Sequence, residues 1–378
     1  MKLFNFIIIF LYGINTTSFV INQKININFI KTQFPRNTLL VYNQIYDPTG
    51  CFFGNLRFPF AENIYSPKDV LKKVSIINKT KGFLKIIRYK NIMPTLLLSF
   101  SGGVIINPSY NLFHSSKFII SSIITVLILM CSMITNDVFD VKIDRINNKL
   151  RPLVTGEITM REAKLYIFLL LSLTEFLNLT FLPYNLQVIT HLAIINIILY
   201  TPIFKSILLI KNISCALLVG FAVVFAGLAA QDTLNIFLNK NIKTLFIASR
   251  LIFFGSLHNE ILLDMTDVEG DSINNVDTIP VRFGLDMTWK FLYYITKVNV
   301  LWNTFDVIRL FNFHLGILFM LMSAPLIINL RYIKKYNYNK QLILHTVKET
   351  NKPLLLILLL LCFMSIPRIA IMSVPVLY

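Results

Sequence analysis

The sequence predicts an all-α, polytopic membrane protein, a bundle of about nine transmembrane helices. Three observations lead there. The 378 residues are 55% hydrophobic and only 15% charged, against about 25% charged in a soluble domain. Several apolar runs approach the ~20 residues that cross a bilayer as a helix. The short alternating strands that a membrane β-barrel requires are missing from the pattern.

Taken in order, the chain opens with MKLFNFIIIFLYGINTTSFV, one lysine before a short apolar core and small polar residues after it. That is the layout of a signal peptide rather than of a span. The next stretch carries Lys24, Lys31 and Arg36, and the first acid of the chain is Asp47. An acid-free basic segment behind a signal-like core resembles the bipartite leader of a plastid membrane protein. The alternatives are a secretory signal with a disordered arm, which gives an endomembrane, and a mitochondrial presequence, which gives the mitochondrial inner membrane. Residues 1–84 are assigned to the leader and arm and 85–378 to the membrane domain, the mature chain beginning between Asp47 and Lys85.

Nine apolar runs follow, near 92–110, 118–135, 165–183, 187–204, 207–230, 243–263, 289–308, 314–330 and 353–375. The seventh is the weakest, because Lys297, Asn299, Asn303 and Asp306 interrupt it. Basic residues are sorted by side. Lys142, Arg145, Lys149, Arg151, Arg161, Lys164, Lys205, Arg282, Lys290, Arg331, Lys334, Lys335, Lys340, Lys348 and Lys352 follow even-numbered runs. The other side shows mainly Lys117, Lys240, Lys243 and Arg309. The bias predicts that the loops after the even runs face the cytosol, stroma or matrix.

The formal net charge of +17 would suggest nucleic acid in a soluble protein. In short loops between apolar runs it is a topology signal that anionic lipid can reinforce. No nucleic acid and no obligatory protein partner are expected. Cys51, Cys131, Cys215 and Cys362 form no CxxC pair, and the five histidines have no metal-ligand spacing, so neither zinc nor a dithiol redox site is indicated.

Two segments stand out. NDVFDVKID (136–144) and LDMTDVEGD (263–271) share Asp-x-x-Asp-Val-x-x-Asp, and they end the second and sixth runs on the same predicted side. Asp137, Asp140 and Asp144, like Asp264, Asp267 and Asp271, are spaced i, i+3, i+7, which puts three carboxylates on one face of a helix. Like charges so placed repel one another unless a multivalent cation lies among them. Carboxylate-only ligands favour Mg²⁺ or Ca²⁺ over zinc, and the calcium-loop spacing of an EF-hand is missing. Mg²⁺ commonly uses one or two carboxylates and completes its shell with water and substrate phosphate. Two facing triplets can hold two or more Mg²⁺ ions around a diphosphate. Without metal each anion–carboxylate contact costs about 4 kcal/mol at ~4 Å and an effective dielectric near 20.

With these motifs the chain resembles the UbiA superfamily of intramembrane prenyltransferases, over roughly 85–378. NDVFDVKIDRINNKLRPLVTGEIT resembles the first Asp-rich motif and its continuation, with Arg151, Pro152 and Gly156. DMTDVEGDSINNVDTIPVRFG resembles the second, LYTPIFKSILLIKN the linker between helices four and five, and IIRYKNIMPTLLL the approach to the first helix. The resemblance implies Mg²⁺-dependent transfer of an isoprenoid chain from a polyprenyl diphosphate to a lipophilic or aromatic acceptor, with release of diphosphate. It implies that Asn136 and Asp140 sit nearest the reacting carbon, and that Asp137, Asp140, Asp144, Asp264, Asp267 and Asp271 hold metal directly or through water. It gives Lys205 a catalytic role and makes Tyr200 a neighbour of the diphosphate or the cation. It places Arg88, Arg151, Lys205, Lys211 and Asn212 around the diphosphate. For Arg151 and Lys205 a topology role alone is the alternative, and for Tyr200 a place in the interfacial aromatic belt.

Among the branches, the Asp-Val-Glu-Gly-Asp form is similar to the homogentisate, chlorophyll and digeranylgeranylglyceryl phosphate enzymes rather than to the 4-hydroxybenzoate branch. The chain departs where many relatives carry Arg-Glu before the second motif and it has Asn259-Glu260. A carrier of an anionic lipid or metabolite is the alternative function, but transporters place such charges near the midplane, not at one edge. A scaffold that has lost activity is the third, and all six aspartates are present. Glu175, His191, Arg250 and Arg368 lie inside apolar runs; for Glu175 the alternatives are pairing with a base and taking the acceptor's proton, and Arg250 is expected near the opposite interface, roughly 21 Å from Asp264 along a helix.

Overall fold

The computed structural model describes residues 78–366, apart from 148–149, 201, 232–239 and 274–275. The leader up to residue 77 and Arg368 lie outside the described residues. Among those described are nine helices of 15 residues or more and no strand. They are α1 (Ile92–Ile106), α2 (Ser116–Asn147), α3 (Met160–Phe181), α4 (Tyr184–Tyr200), α5 (Ile210–Ala229), α6 (Lys240–Thr266), α7 (Ile279–Leu310), α8 (Phe313–Lys335) and α9 (Lys340–Ser365). Each apolar run of the sequence falls on one of them. Five, α2 over Ser116–Val141 together with α3, α5, α6 and α8, are long and apolar enough to cross a membrane, and α4 is apolar but shorter. The protein is a polytopic helical membrane protein.

Local chemistry sets the helix ends. Thr159 and Glu162 form a reciprocal capping box at the start of α3, satisfying two otherwise orphaned backbone donors. Asn312 accepts from the Leu315 N–H at 2.9 Å to open α8. Asn339 accepts from the N–H groups of Gln341 and Leu342, which starts α9 at Lys340 rather than near residue 353. Pro353 therefore lies inside α9, not at its beginning. Gly284 adopts φ 77° within α7, a left-handed conformation that glycine takes without steric cost, and kinks the helix there.

Packing places α5 against α1 and α6. At Gly102 of α1 a Cβ would fall 2.0 Å from the Val223 carbonyl oxygen of α5. Only glycine permits this approach, the small-residue contact usual between membrane helices. Buried apolar clusters extend outward from it. One joins Val104 of α1, Val223 of α5, Ala248 of α6 and the pair Ile357 and Leu358 of α9. Another joins Leu257 and Ile261 of α6 to Leu292 of α7 and Leu330 of α8.

Three of the polar residues inside the apolar runs find partners there. Arg250 of α6 donates to Asn303 Oδ1 of α7 at 3.0 and 2.9 Å. It also pairs with Asp306 and stacks 4.4 Å over the Trp302 ring. Arg250 is thus held against α7 rather than reaching alone to the far interface. Two of the polar interruptions of the seventh run, Asn303 and Asp306, are its partners. His191 Nε2 lies 3.1 Å from Glu175 Oε2, so α3 and α4 satisfy each other's intramembrane group.

Candidate active site

The first triplet lies on the last turns of α2. Asp137, Asp140 and Asp144 are all buried, none more than 9% exposed, as their i, i+3, i+7 spacing on an unbroken helix requires. Each is turned onto a base. Asp137 Oδ1 takes Arg88 at 3.2 Å and Arg151 at 3.5 Å, Arg151 reaches Asp144 at 3.9 Å, and Lys205 pairs with Asp140.

The second triplet departs from the expected single helical face. Asp264 closes α6 and is buried. It accepts from Lys211 Nζ at 2.7 Å and Asn212 Nδ2 at 2.8 Å, both at the start of α5. The helix then ends, with the Thr266 hydroxyl bonded back to the Leu263 carbonyl at 2.8 Å, a local bond that competes with continued helix. Asp267 sits in the bend, largely exposed, 3.8 Å from Lys340 of α9. Asp271 lies on a separate short helix, Val268–Ile273. Burial pushes its carboxyl up to about 6, against the pull of Lys211.

Among the described residues no three Asp, Glu, His or Cys side chains converge on a ready metal cage. The acids face bases here. Two atoms nonetheless fit a hard cation. Asp137 Oδ2 and Asp271 Oδ2 are buried and have no hydrogen-bond partner. One belongs to each triplet, and an unpartnered buried carboxylate oxygen is expensive unless a cation or donor completes it. Arg88 Nε is likewise buried and unsatisfied, a donor without an acceptor.

Backbone strain marks the same region. Arg88 has φ 49° and Leu209 φ 66°, left-handed values unfavourable for such residues. They precede α1 and α5, the first carrying a site base itself and the second lying two residues before Lys211. Strain retained at such positions is a feature of functional sites.

A cavity of about 370 Å³ opens beside the first triplet. Its polar end is formed by Arg88, Asn136, Asp140, Tyr200, Lys205 and Glu260. Its other walls are mainly apolar, with Leu98, Ile128, Leu129, Met133 and Phe221 among them. Of the residues expected at a site, the structure thus brings Arg88, Asn136, Asp140, Tyr200 and Lys205 to one cavity. Asp137, Asp144 and Arg151 do not line it but are tied to it through Arg88, and Asp264, Lys211 and Asn212 form a second cluster.

Sequence reasoning assigns no role to Glu260 and Cys215, which also line the cavity. The signal for Glu260 is present, since an acid inside an apolar run calls for a function. Asn259, where the chain departs from the Arg-Glu pattern, turns instead toward Asn351 of α9 at 3.5 Å and does not line the cavity.

This arrangement has counterparts among known proteins. The UbiA prenyltransferase family matches residues 95–348. Digeranylgeranylglyceryl phosphate synthase of Sulfurisphaera tokodaii is 28% identical over 254 residues, 67% of this chain and 88% of that protein. The enzyme of the same name from Methanocaldococcus jannaschii is 31% identical over 232 residues, 60% of this chain and 74% of that one. In fold, a solved digeranylgeranylglyceryl phosphate synthase superposes with a TM-score of 0.58 at 24% identity, covering 76% of this chain and 98% of its own. A UbiA homologue from Archaeoglobus fulgidus, solved with GPP and Mg²⁺, gives 0.57 at 22% identity, covering 75% and 99%.

Proposed function

This chain belongs to the UbiA prenyltransferase family, and we propose that it joins a prenyl chain from a polyprenyl diphosphate to the free hydroxyl of a prenylglycerol phosphate in a Mg²⁺-dependent reaction. One observation carries the reading. A cavity with an apolar interior ends in Arg88, Lys205, Asn136, Asp140 and Tyr200, beside two aspartate triplets that each retain an unpartnered buried oxygen. An isoprenoid tail suits the interior and a diphosphate suits the end. The acceptor class follows the digeranylgeranylglyceryl phosphate synthases above. The plastid address rests on leader composition alone, and these relatives are archaeal.

The residues divide the work. Asp137 and Asp271 offer open oxygens to Mg²⁺, with Asp140, Asp144, Asp264 and Asp267 completing the ligand set. Bound Mg²⁺ supplies positive charge against the departing diphosphate. Arg88, Arg151, Lys205 and Lys211, now engaged by carboxylates, turn to phosphate oxygens when metal takes those carboxylates. This exchange of partners keeps every charge compensated before and after binding, which a low-dielectric site requires. Asn136 and Tyr200 flank the allylic carbon as its bond to oxygen lengthens. The apolar walls exclude the water that would otherwise intercept it.

The test is transfer by the full chain in nanodiscs, supplied with geranylgeranyl diphosphate and either geranylgeranylglyceryl phosphate, homogentisate or chlorophyllide. The expected product is the prenylglycerol ether, formed with Mg²⁺, abolished by chelator and absent in Asp137→Asn. Transfer to an aromatic or chlorin acceptor with none to the prenylglycerol would overturn the acceptor assignment. Product formation undiminished by chelator would overturn the metal assignment.

A further inference from the structure

We infer that Glu260 is a further catalytic residue, the group that takes the proton from the acceptor's hydroxyl as the new ether bond forms. The inference rests on the functional reading above and adds to it the fate of the proton.

Among the described residues only two carboxylates line the cavity, Asp140 and Glu260. Asp140 is engaged by Lys205. Glu260 makes no ion pair among the described residues. Its carboxylate accepts from the thiol of Cys215, and that sulfur is also hydrogen-bonded to Tyr200. The carboxylate is therefore held on the cavity wall by neutral groups, with a basic lone pair still to offer. The charged groups that act on it are Asp264 on its own helix and Lys211 and Arg88 from neighbouring elements.

Its depth matches the reacting bond. Glu260 precedes Asp264 by four residues on α6, the same helix face and about 6 Å further from the aspartate edge. A diphosphate held at the edge puts its first carbon at that inner level. A hydroxyl attacking that carbon arrives beside Glu260. In the step, the acceptor oxygen forms a bond to the allylic carbon and the carbon–oxygen bond to diphosphate breaks. Diphosphate leaves with the electron pair, and the hydroxyl proton passes to the Glu260 carboxylate. Nothing else is consumed. Of the other polar groups on the wall, Arg88 and Lys205 are cations, Asp140 is paired with Lys205, and Asn136, Tyr200, Cys215 and the serine and threonine hydroxyls are neutral, so none of them is placed to accept a proton as well as a free carboxylate.

The experiment compares the full-length protein with Glu260→Gln and Glu260→Asp in nanodiscs. Mg²⁺-dependent binding of geranylgeranyl diphosphate, and kcat and KM for transfer to geranylgeranylglyceryl phosphate, are measured in each. General-base groups contribute about 10²–10⁴-fold. We expect Glu260→Gln to bind donor within about twofold of wild type while kcat falls at least about 10²-fold, and Glu260→Asp to recover part of the loss. An acceptor whose hydroxyl is acidified by a neighbouring fluorine should regain rate in Glu260→Gln, which a purely structural role would not permit. Wild-type kcat in Glu260→Gln, or loss of donor binding together with transfer, overturns the assignment. A wild type that binds donor yet forms no ether with the prenylglycerol overturns instead the reading beneath it.

Discussion

The two Asp-x-x-Asp-Val-x-x-Asp segments share a pattern and a place, each ending a long helix on the same side of the bundle, and they fold differently. In the first, α2 runs through all three aspartates and buries them together. In the second, α6 stops at Thr266, so Asp264 is buried, Asp267 faces Lys340 and Asp271 moves to a separate short helix. A periodic spacing places side chains only as far as the helix continues. On the function proposed above, the first triplet is a preformed half of the site, and the second, split between the end of α6 and the short helix Val268–Ile273, is an open half.

The largest test of this contrast removes one buried acid from each half. Asp140→Asn and Asp264→Asn should each lower kcat/KM for prenyl transfer by about 10²–10³, the loss typical of one charge-stabilising group, equivalent to about 3–4 kcal/mol. Equal losses would show that the open half closes fully during turnover. A nearly active Asp264→Asn would mean that the first triplet suffices, and the pairing of the two motifs would fail.

A second test sets the site ion pairs against one deep in the bundle. Arg250 is bonded to Asn303 and Asp306 and lies outside the reaction cavity. Arg250→Met should strand Asp306 and destabilise the fold by about 2 kcal/mol, below the range for breaking a fully buried pair because both partners are partly exposed. Thermal unfolding in detergent measures this, and kcat per folded molecule should stay within about twofold of wild type. A large fall in kcat with unchanged melting would move Arg250 from structure to function.

These two ion-pair regions also show what the sequence can tell. The nine apolar runs map onto nine helices because hydropathy over a helix length is read directly from side chains. The first triplet's buried face follows from spacing for the same reason. The break at Asp267 is hidden, since it depends on the Thr266 hydroxyl and on where the next helix starts. Hydropathy places the start of α9 late because residues 340–352 are polar enough to look like loop, yet Asn339 caps them into helix. Arg250 and Glu175 are conspicuous as charges, but their partners lie on other helices, at Asp306 and His191, and a single chain does not announce such pairings. Glu260 is visible as an acid in an apolar run. Its position on the cavity wall emerges only when α1, α2, α4, α5 and α6 are brought together.

The smallest expected effect is the sharpest probe of the open half. Lys340 and Asp267 are 3.8 Å apart with both side chains more than 60% exposed. Such a surface pair contributes only about 0–1 kcal/mol. Asp267 is therefore lightly held and free to exchange Lys340 for metal. Lys340→Gln should leave kcat unchanged and shift the Mg²⁺ concentration for half-maximal transfer by less than about threefold, toward lower values, because one competitor for the carboxylate is gone. High salt should reproduce the same small shift in the wild type by screening the exposed pair. A shift of about tenfold or more would mean that Lys340 restrains Asp267 well beyond a surface pair, and that the second half is locked rather than open before the substrate arrives.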